Sequence, residues 1–422
     1  MKVLVITHLF HPDRGGGAAV FSDLCFELAD KGHSVDVVTT YPYYPEWKNK
    51  SGANALRITE EHVRGVKVRR YGIFVPRRPS SLWQRVAYEL SFVISTLRSL
   101  SSRRRYDVVV VYCPLLGSVM FAVLRVMLTG EKLWINIQDI PADAAACSGI
   151  SKSTAFNRAA SWVQCALFRR GDVVSTIAPL MVKRVAAIMG GDREVVLFPN
   201  WLHASMAEVI DAMRSNVSRP RGPMQLTYAG NLGKKQGLVE FCEALGGNTC
   251  AFIFNIYGDG SEAQAVRTWV DQRGDERFQK GPFLDENGFV HALLSADFFI
   301  ITEKVGVGAS FIPSKLIPSL ASGTPVIAVC DEHSPLGSEV REYDLGPVIP
   351  WANLEGINEL LEPTFRESER YRRWAENCRR RAEAYGRSRA MEVFERLCAA
   401  SSLRRAAETR PGTDDRSGLG YT

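Results

Sequence analysis

The sequence predicts an α/β protein built from two Rossmann-like halves, and three observations carry that reading. The chain opens with a short apolar run, residues 1–7, then a loop from His8 to Gly17 ending in Gly15-Gly16-Gly17, then a helix with Val20, Leu24 and Leu28 on one face, and a second strand over 34–40. The same order returns after residue 225, where Leu226-Thr227-Tyr228-Ala229 runs into Gly230-Asn231-Leu232-Gly233-Lys234-Lys235-Gln236-Gly237 and a helix follows. A third such unit has strands at Phe298-Phe299-Ile300-Ile301 and 325–329, with a helix from about Ser314 to Ser322 that Gly323 ends. Strands apolar on both faces belong to parallel sheets covered by helices. At 422 residues the chain is long enough for two such domains and a tail.

Hydrophobic content of 46% and charged content of 23% are those of an ordinary globular protein. The nine cysteines form no CxxC pair and no zinc-spaced Cys/His cluster, which points to reduced thiols in a cytoplasmic compartment. The first apolar run is too short for a signal peptide and lacks a cleavage site. Net charge is +6, but residues 1–200 carry roughly +10 and the remainder roughly −4, so the first half is expected to meet an anionic partner. No nucleic-acid module accompanies that charge, which favours an anionic membrane surface over nucleic acid.

In chain order, the glycines after the first strand miss GxGxxG because Val20 stands where the third glycine belongs, which disfavours a dinucleotide dehydrogenase. Tyr41-Pro42-Tyr43-Tyr44-Pro45-Glu46-Trp47 is a Pro-broken aromatic loop. Alternating apolar and basic residues over 63–75 suggest an exposed strand pair. Residues 83–100 form a helix apolar at Val86, Leu90, Val93, Ile94 and Leu97, flanked by Arg77-Arg78, Arg85 and Arg103-Arg104-Arg105. That helix reads either as a core helix or, given Trp83 and the arginines, as one lying in a membrane interface; it is too short to span one. A second apolar stretch, 115–128, also falls short of a span. Strands follow at 107–112 and 132–137, and the latter delivers Gln138-Asp139-Ile140-Pro141 to the sheet edge where ligands of open α/β sheets bind. Pro141 keeps Asp139 in a loop at that edge, where its carboxylate is the candidate for catalysis, positioning or deprotonating a hydroxyl of a bound ligand; capping the next helix is the alternative. Helices at 153–169 and 178–190 and strands at 171–176 and 194–197 complete a first domain over 1–203, with a Ser/Arg/Pro-rich linker near 203–221.

The second domain spans 222–370. Its glycines let a backbone approach a diphosphate, and Lys234 and Lys315 supply compensating charge. Lys315 ill suits a helix N-terminus unless it reaches an anion. Long charged helices over 371–403 are expected to pack back toward the first domain, and the tail from 404 to 422 is polar enough to be disordered.

The segment Pro313-Ser314-Lys315-Leu316 … Ala321-Ser322-Gly323-Thr324-Pro325-Val326-Ile327-Ala328 resembles the donor-binding segment of GT-B glycosyltransferases of family GT4. Gly32-His33-Ser34-Val35-Asp36-Val37-Val38-Thr39 and the Gly230–Gly237 turn share the likeness. It is greatest for the bacterial surface-polysaccharide branch that transfers N-acetylated amino sugars. The resemblance implies a GT-B fold: two facing Rossmann-like domains, a deep cleft and a C-terminal cross-over helix. It implies a retaining transferase using a nucleotide sugar, a UDP-sugar first, with a polyprenyl-diphosphate-linked saccharide as acceptor. It places the enzyme in the cytoplasm, peripheral on the inner face of the cytoplasmic membrane. Donor contacts fall on Gly16, Gly17, Asn231, Gly233, Lys234 and Lys315, and acceptor contacts on His11, Gly15 and Gln138. The family's two glutamates are replaced by Ser310 and Pro318, so Glu303 and Glu339 are the acidic candidates in their stead. No Asp-x-Asp motif occurs, so lysines and helix N-termini are expected to serve where a metal otherwise would. A GT-B sugar-nucleotide 2-epimerase and a non-catalytic membrane scaffold are the competing readings.

Overall fold

The structure, a computed structural model, describes residues 1–408 apart from 14–16, 45, 50, 53, 55, 79–80, 102–103, 141–153 and 307–311. The first sheet is built from β1 (Lys2–Ile6), β2 (Ser34–Thr40), β3 (Ile58–Val63), β4 (Val66–Tyr71), β5 (Val108–Cys113), β6 (Lys132–Ile137), β7 (Val173–Thr176) and β8 (Val196–Leu197), in the order β3-β4-β2-β1-β5-β6-β7-β8. Only β3 runs antiparallel. Helices α1 (Ala18–Asp30), α2 (Leu82–Thr96), α3 (Leu116–Thr129), α4 (Thr154–Phe168) and α5 (Pro179–Ile188) connect its strands. Alternate residues of the strands feed two cores: Leu4, Ile6, Val109 and Val111 face one, and Val3, Val5, Val108 and Val110 face the other.

The second sheet is wholly parallel, in the order β11-β10-β9-β12-β13-β14. Its strands are β9 (Met224–Asn231), β10 (Phe252–Asp259), β11 (Phe278–Gly281), β12 (Phe298–Thr302), β13 (Val326–Val329) and β14 (Val348–Ile349). Helices α6 (Ala204–Arg214), α7 (Leu238–Gly246), α8 (Ala263–Arg273), α9 (Glu286–Ser295), α10 (Leu316–Ser322) and α11 (Pro335–Glu342) precede or connect them. Two helices close the described chain, α12 (Glu369–Ala382) and α13 (Arg387–Glu408). In both sheets the strand order reverses at the first strand, between β1 and β5 and between β9 and β12. Crevices open outside the carboxyl ends of strands at such points.

Four expectations are corrected. The stretch expected as linker carries α6, whose Ile210 is buried with Val290, Leu294 and Ala321 of the second domain. Of the C-terminal helices, α12 stays on the second domain, burying Tyr371, Trp374 and Cys378. Only α13 returns, seating Met391 and Phe394 in the first-domain core, where Phe394 stacks on Trp134 at 4.9 Å. That helix also runs through residues 404–408, and the rest of the expected tail lies outside the described residues. Strand β4 is interior rather than exposed: Val66, Val68 and Tyr71 are buried. Arg70 is tolerated there because it donates to Glu61, to the Thr40 carbonyl and to the His11 carbonyl. Helix α2 buries Tyr88, Phe92, Ser95 and Thr96, and turns Trp83, Leu90 and Ile94 outward.

Candidate active site

The first domain contributes the loops after β1, β5 and β6. Gln138 and Asp139 follow β6 directly, and Gln138 N–H still continues the ladder to the Cys113 carbonyl. Asp139 is half-buried, its Oδ1 accepts the Ile140 N–H at 2.9 Å, and its carbonyl accepts from the Cys113 thiol. Gln138 is fixed by a chain of amides: Asn200 Nδ2 donates to Gln138 Oε1 at 2.8 Å and Gln138 Nε2 to Asn136 Oδ1 at 2.6 Å. Asn136 and the Trp134 indole both donate to Ser175 Oγ, anchoring the chain in the sheet. Asn200 Oδ1 is left buried with no partner.

His8, two residues beyond β1, is buried. Burial, helped by the Arg85 charge, holds its pKa down to about 4, so its imidazole is neutral and its Nδ1 has no hydrogen-bond partner. Glu89 of α2 caps α3 by accepting the Gly117 N–H at 2.6 Å, and burial pushes it up to about 7. The aromatic loop is packed inward: Tyr43 is buried, its hydroxyl meets that of Tyr88, and the N–H groups of Tyr43 and Tyr44 both bond Asp13 Oδ1 at 2.9 Å.

His11 is held by its own backbone, to Ser22 Oγ and Arg70, and its ring stands edge-on to Phe26 of α1. Gly17 caps α1 where a side chain would collide with the Phe21 ring. Gly15 and Gly16 lie outside the described residues.

In the second domain the ends of β9 and β10 meet as a glycine pair. Gly230 and Gly258 are partners in the ladder, both with positive φ (135° and 150°), and a side chain on Gly258 would strike the Gly230 carbonyl. The turn that follows is pinned by Gln236: its Oε1 accepts the Gly233 N–H at 3.1 Å, and its own N–H bonds the Gly233 carbonyl. Asn231 and Lys234 are exposed, and Lys234 forms no ion pair among the described residues. Lys315, immediately before α10, reaches across to this turn. Its Nζ donates to Tyr228 Oη at 3.0 Å and stands 4.1 Å from that ring's centroid.

Glu303 follows β12 at the same edge. Its Oε2 is buried without a partner, and Trp351 Nε1 holds its carbonyl at 2.8 Å. Burial pushes the Glu303 carboxyl up to about 8 and the Lys315 ammonium down to about 7, each opposed by the other's charge. Glu339 is elsewhere: both its oxygens bond Arg381 and one also accepts from Tyr385, which commits it to holding α12 on α11. Donor contact by Glu339 would require that pairing to open. Ile312, three residues before Lys315, packs against both the first-domain core and the α10 cluster, so the two domains meet beside the start of α10.

Sequence reasoning missed His8, Asn200 and Tyr228. The strand-end position of His8 and Asn200 was a usable signal; nothing local marks Tyr228. Among the described residues no group of three His, Cys, Asp or Glu could hold a metal ion, and no helix is long and apolar enough to cross a membrane.

Comparison with known proteins bears on this cleft. Residues 15–201 match the family model described as glycosyl transferase 4-like domain. A protein of Escherichia coli K12 named as a colanic acid biosynthesis glycosyl transferase, WcaI, is 29% identical over 350 residues, covering 80% of this chain and 85% of that one. Sucrose-phosphate synthase of Thermosynechococcus elongatus superposes with a TM-score of 0.72 at 15% identity, over 95% of this chain and all of that one. HepE of Anabaena in complex with UDP does so with a TM-score of 0.62 at 13% identity, over 94% of this chain and all of that one.

Proposed function

We infer that this GT-B glycosyltransferase, whose first domain is a glycosyl transferase 4-like domain, moves a sugar from a nucleoside-diphosphate sugar onto a lipid-linked saccharide during bacterial surface-polysaccharide synthesis. The observation that carries the donor half of this reading is the Lys315 ammonium held over the glycine-lined ends of β9 and β10, with Lys234 exposed beside it. Two cations and a backbone free of side chains suit a diphosphate leaving group, whose growing charge they stabilise. In this reading the lysines meet that charge without a bridging metal, and chelation leaves turnover unchanged. A UDP-sugar is the first donor to try, since the Anabaena neighbour binds UDP. An N-acetylated amino sugar and retention of configuration follow from the family resemblance.

Acceptor binding falls to the first domain. There Gln138, oriented by its amide chain, presents a fixed hydrogen-bonding group, and Asp139 is the carboxylate placed to position the attacking hydroxyl. A lipid-linked acceptor and a peripheral seat on the inner membrane are supported by the outward face of α2, α3 and α4. Trp83, Ile94, Met127, Leu128 and Trp162 are each more than 60% exposed there, and Arg77, Arg78 and Arg158 are exposed close by in the chain.

The deciding experiment is nucleotide release from a panel of UDP-, GDP- and ADP-sugars, with and without bacterial lipid extract. Lipid-dependent release is expected. Release that ignores the lipid favours the epimerase or simple hydrolysis, and tight nucleotide binding without release favours a scaffold. Asp139→Ala separates the roles further: turnover should fall about a hundredfold while nucleotide affinity stays within about twofold.

A further inference from the structure

Tyr228 lies inside β9, fully buried among Leu226, Phe254 and Phe298, where a phenylalanine would serve the core as well. Its hydroxyl is nevertheless used twice. It donates to the Asn231 carbonyl at 2.6 Å, at the start of the Gly-Lys turn, and accepts from Lys315 Nζ at 3.0 Å. The ring face holds the same ammonium at 4.1 Å. On the other side Gly230 leaves the space the lysine occupies, since a side chain there would collide with Lys315 Cε and Nζ. Glu303 and Lys315 feel each other's charge but form no ion pair among the described residues.

An ammonium has three N–H donors and a flexible four-carbon stem. Here one donor is spent on Tyr228 and the stem is already immobilised. Ordering a lysine on folding, rather than on ligand arrival, removes an entropy cost from binding. We propose that Tyr228 is a positioning residue, which fixes the Lys315 ammonium and the Asn231 turn relative to each other so that both address one diphosphate. The proposal rests on the donor reading above. It accounts for a hydroxyl in the core, for the glycine at 230 and for a lysine that leaves the nearby carboxyl unpaired.

The test is a double-mutant cycle with Tyr228→Phe, Lys315→Met and the pair, read as the UDP dissociation constant by calorimetry. Tyr228→Phe keeps the ring and the packing, so it should fold. It is expected to weaken UDP about tenfold in the parent and less than twofold when Lys315 is already methionine. An equal loss in both backgrounds, or none in the parent, overturns the proposal. A second measurement separates this from failure of the donor reading: the titration of Lys315, followed by NMR of the 13C-methylated protein. Tyr228→Phe must shift that titration whether or not UDP binds. If UDP does not bind the parent, the donor reading falls, and an unshifted Lys315 titration overturns the Tyr228 assignment by itself.

Discussion

A carboxyl that burial pushes up to about 8 and an ammonium that burial pulls down to about 7 share one edge of the second sheet. Glu303 keeps its proton in the folded chain above the ordinary carboxylate range, so its contribution is present at low pH and lost as pH rises through about 8. Above about pH 7, and up to the ordinary lysine range, Lys315 gives up in the fold a proton that an unfolded lysine still holds. Its contribution is therefore present at high pH and lost as pH falls through about 7. The two together place a shallow minimum of stability between those values. Denaturant melts at about pH 5, 7.5 and 10 should show the Glu303→Gln, Lys315→Met double variant gaining most on the parent at the middle pH. A gain that is flat across pH would exclude the pair as its source. Lys234 was legible as a candidate because glycine and lysine sit together in the chain, and Lys315 because a lysine ill suits a helix N-terminus. The fate of Glu339 was not, because the arginine that claims it, Arg381, is forty-two positions away. Asn200 and Gln138 are likewise joined only by the fold, across sixty-two positions.

Among the elements, most parallel strands could be read to within about two residues, since apolar runs covered on both faces have few alternatives, whereas the pair β3 and β4 begins five residues earlier than expected and the two-residue β14 was not read. Helix α2 shows the limit of such reading. Its apolar period located a helix, but not the face that packs inward, because the aromatic residues Tyr88 and Phe92 outcompete the aliphatic stripe for the core. The stripe left outside is continued by α3, which packs against both α2 and α4. Vesicles rich in anionic lipid should pull down the parent protein, and Trp83→Ser with Ile94→Gln should weaken that capture about tenfold or more, with little change in melting temperature. Capture that is indifferent to both substitutions, or a shift from dimer to monomer in their place, would assign the face to protein–protein contact.

Across the whole molecule, the crossings between domains converge on one side chain. Asp23 of α1 accepts from the Trp201 indole at 2.8 Å and the Ala204 N–H at 3.1 Å, and Arg387, at the start of α13, stands 3.5 Å from it. Both the outgoing and the returning chain are thereby tied to the same buried carboxylate. Asp23→Ala leaves the Trp201 indole N–H without its acceptor and the Arg387 guanidinium with Glu27 alone, 3.2 Å away, and should cost about 1–3 kcal/mol, read as a lower denaturation midpoint. Scattering curves of that variant should broaden toward more open forms; an unchanged midpoint and profile would show that the crossing is held elsewhere. Two domains were visible in the sequence, but this knot was not, because its members lie at three distant points of the chain.

The return of α13 has a consequence for how the protein is made. Trp134 lines a trough on the first domain that Met391 and Phe394 fill. A ribosome finishes every strand of that domain some two hundred residues before it delivers the helix that covers it. Throughout that interval the nascent first domain carries an open apolar trough, and it is a natural client for whatever holdase attends the exit tunnel.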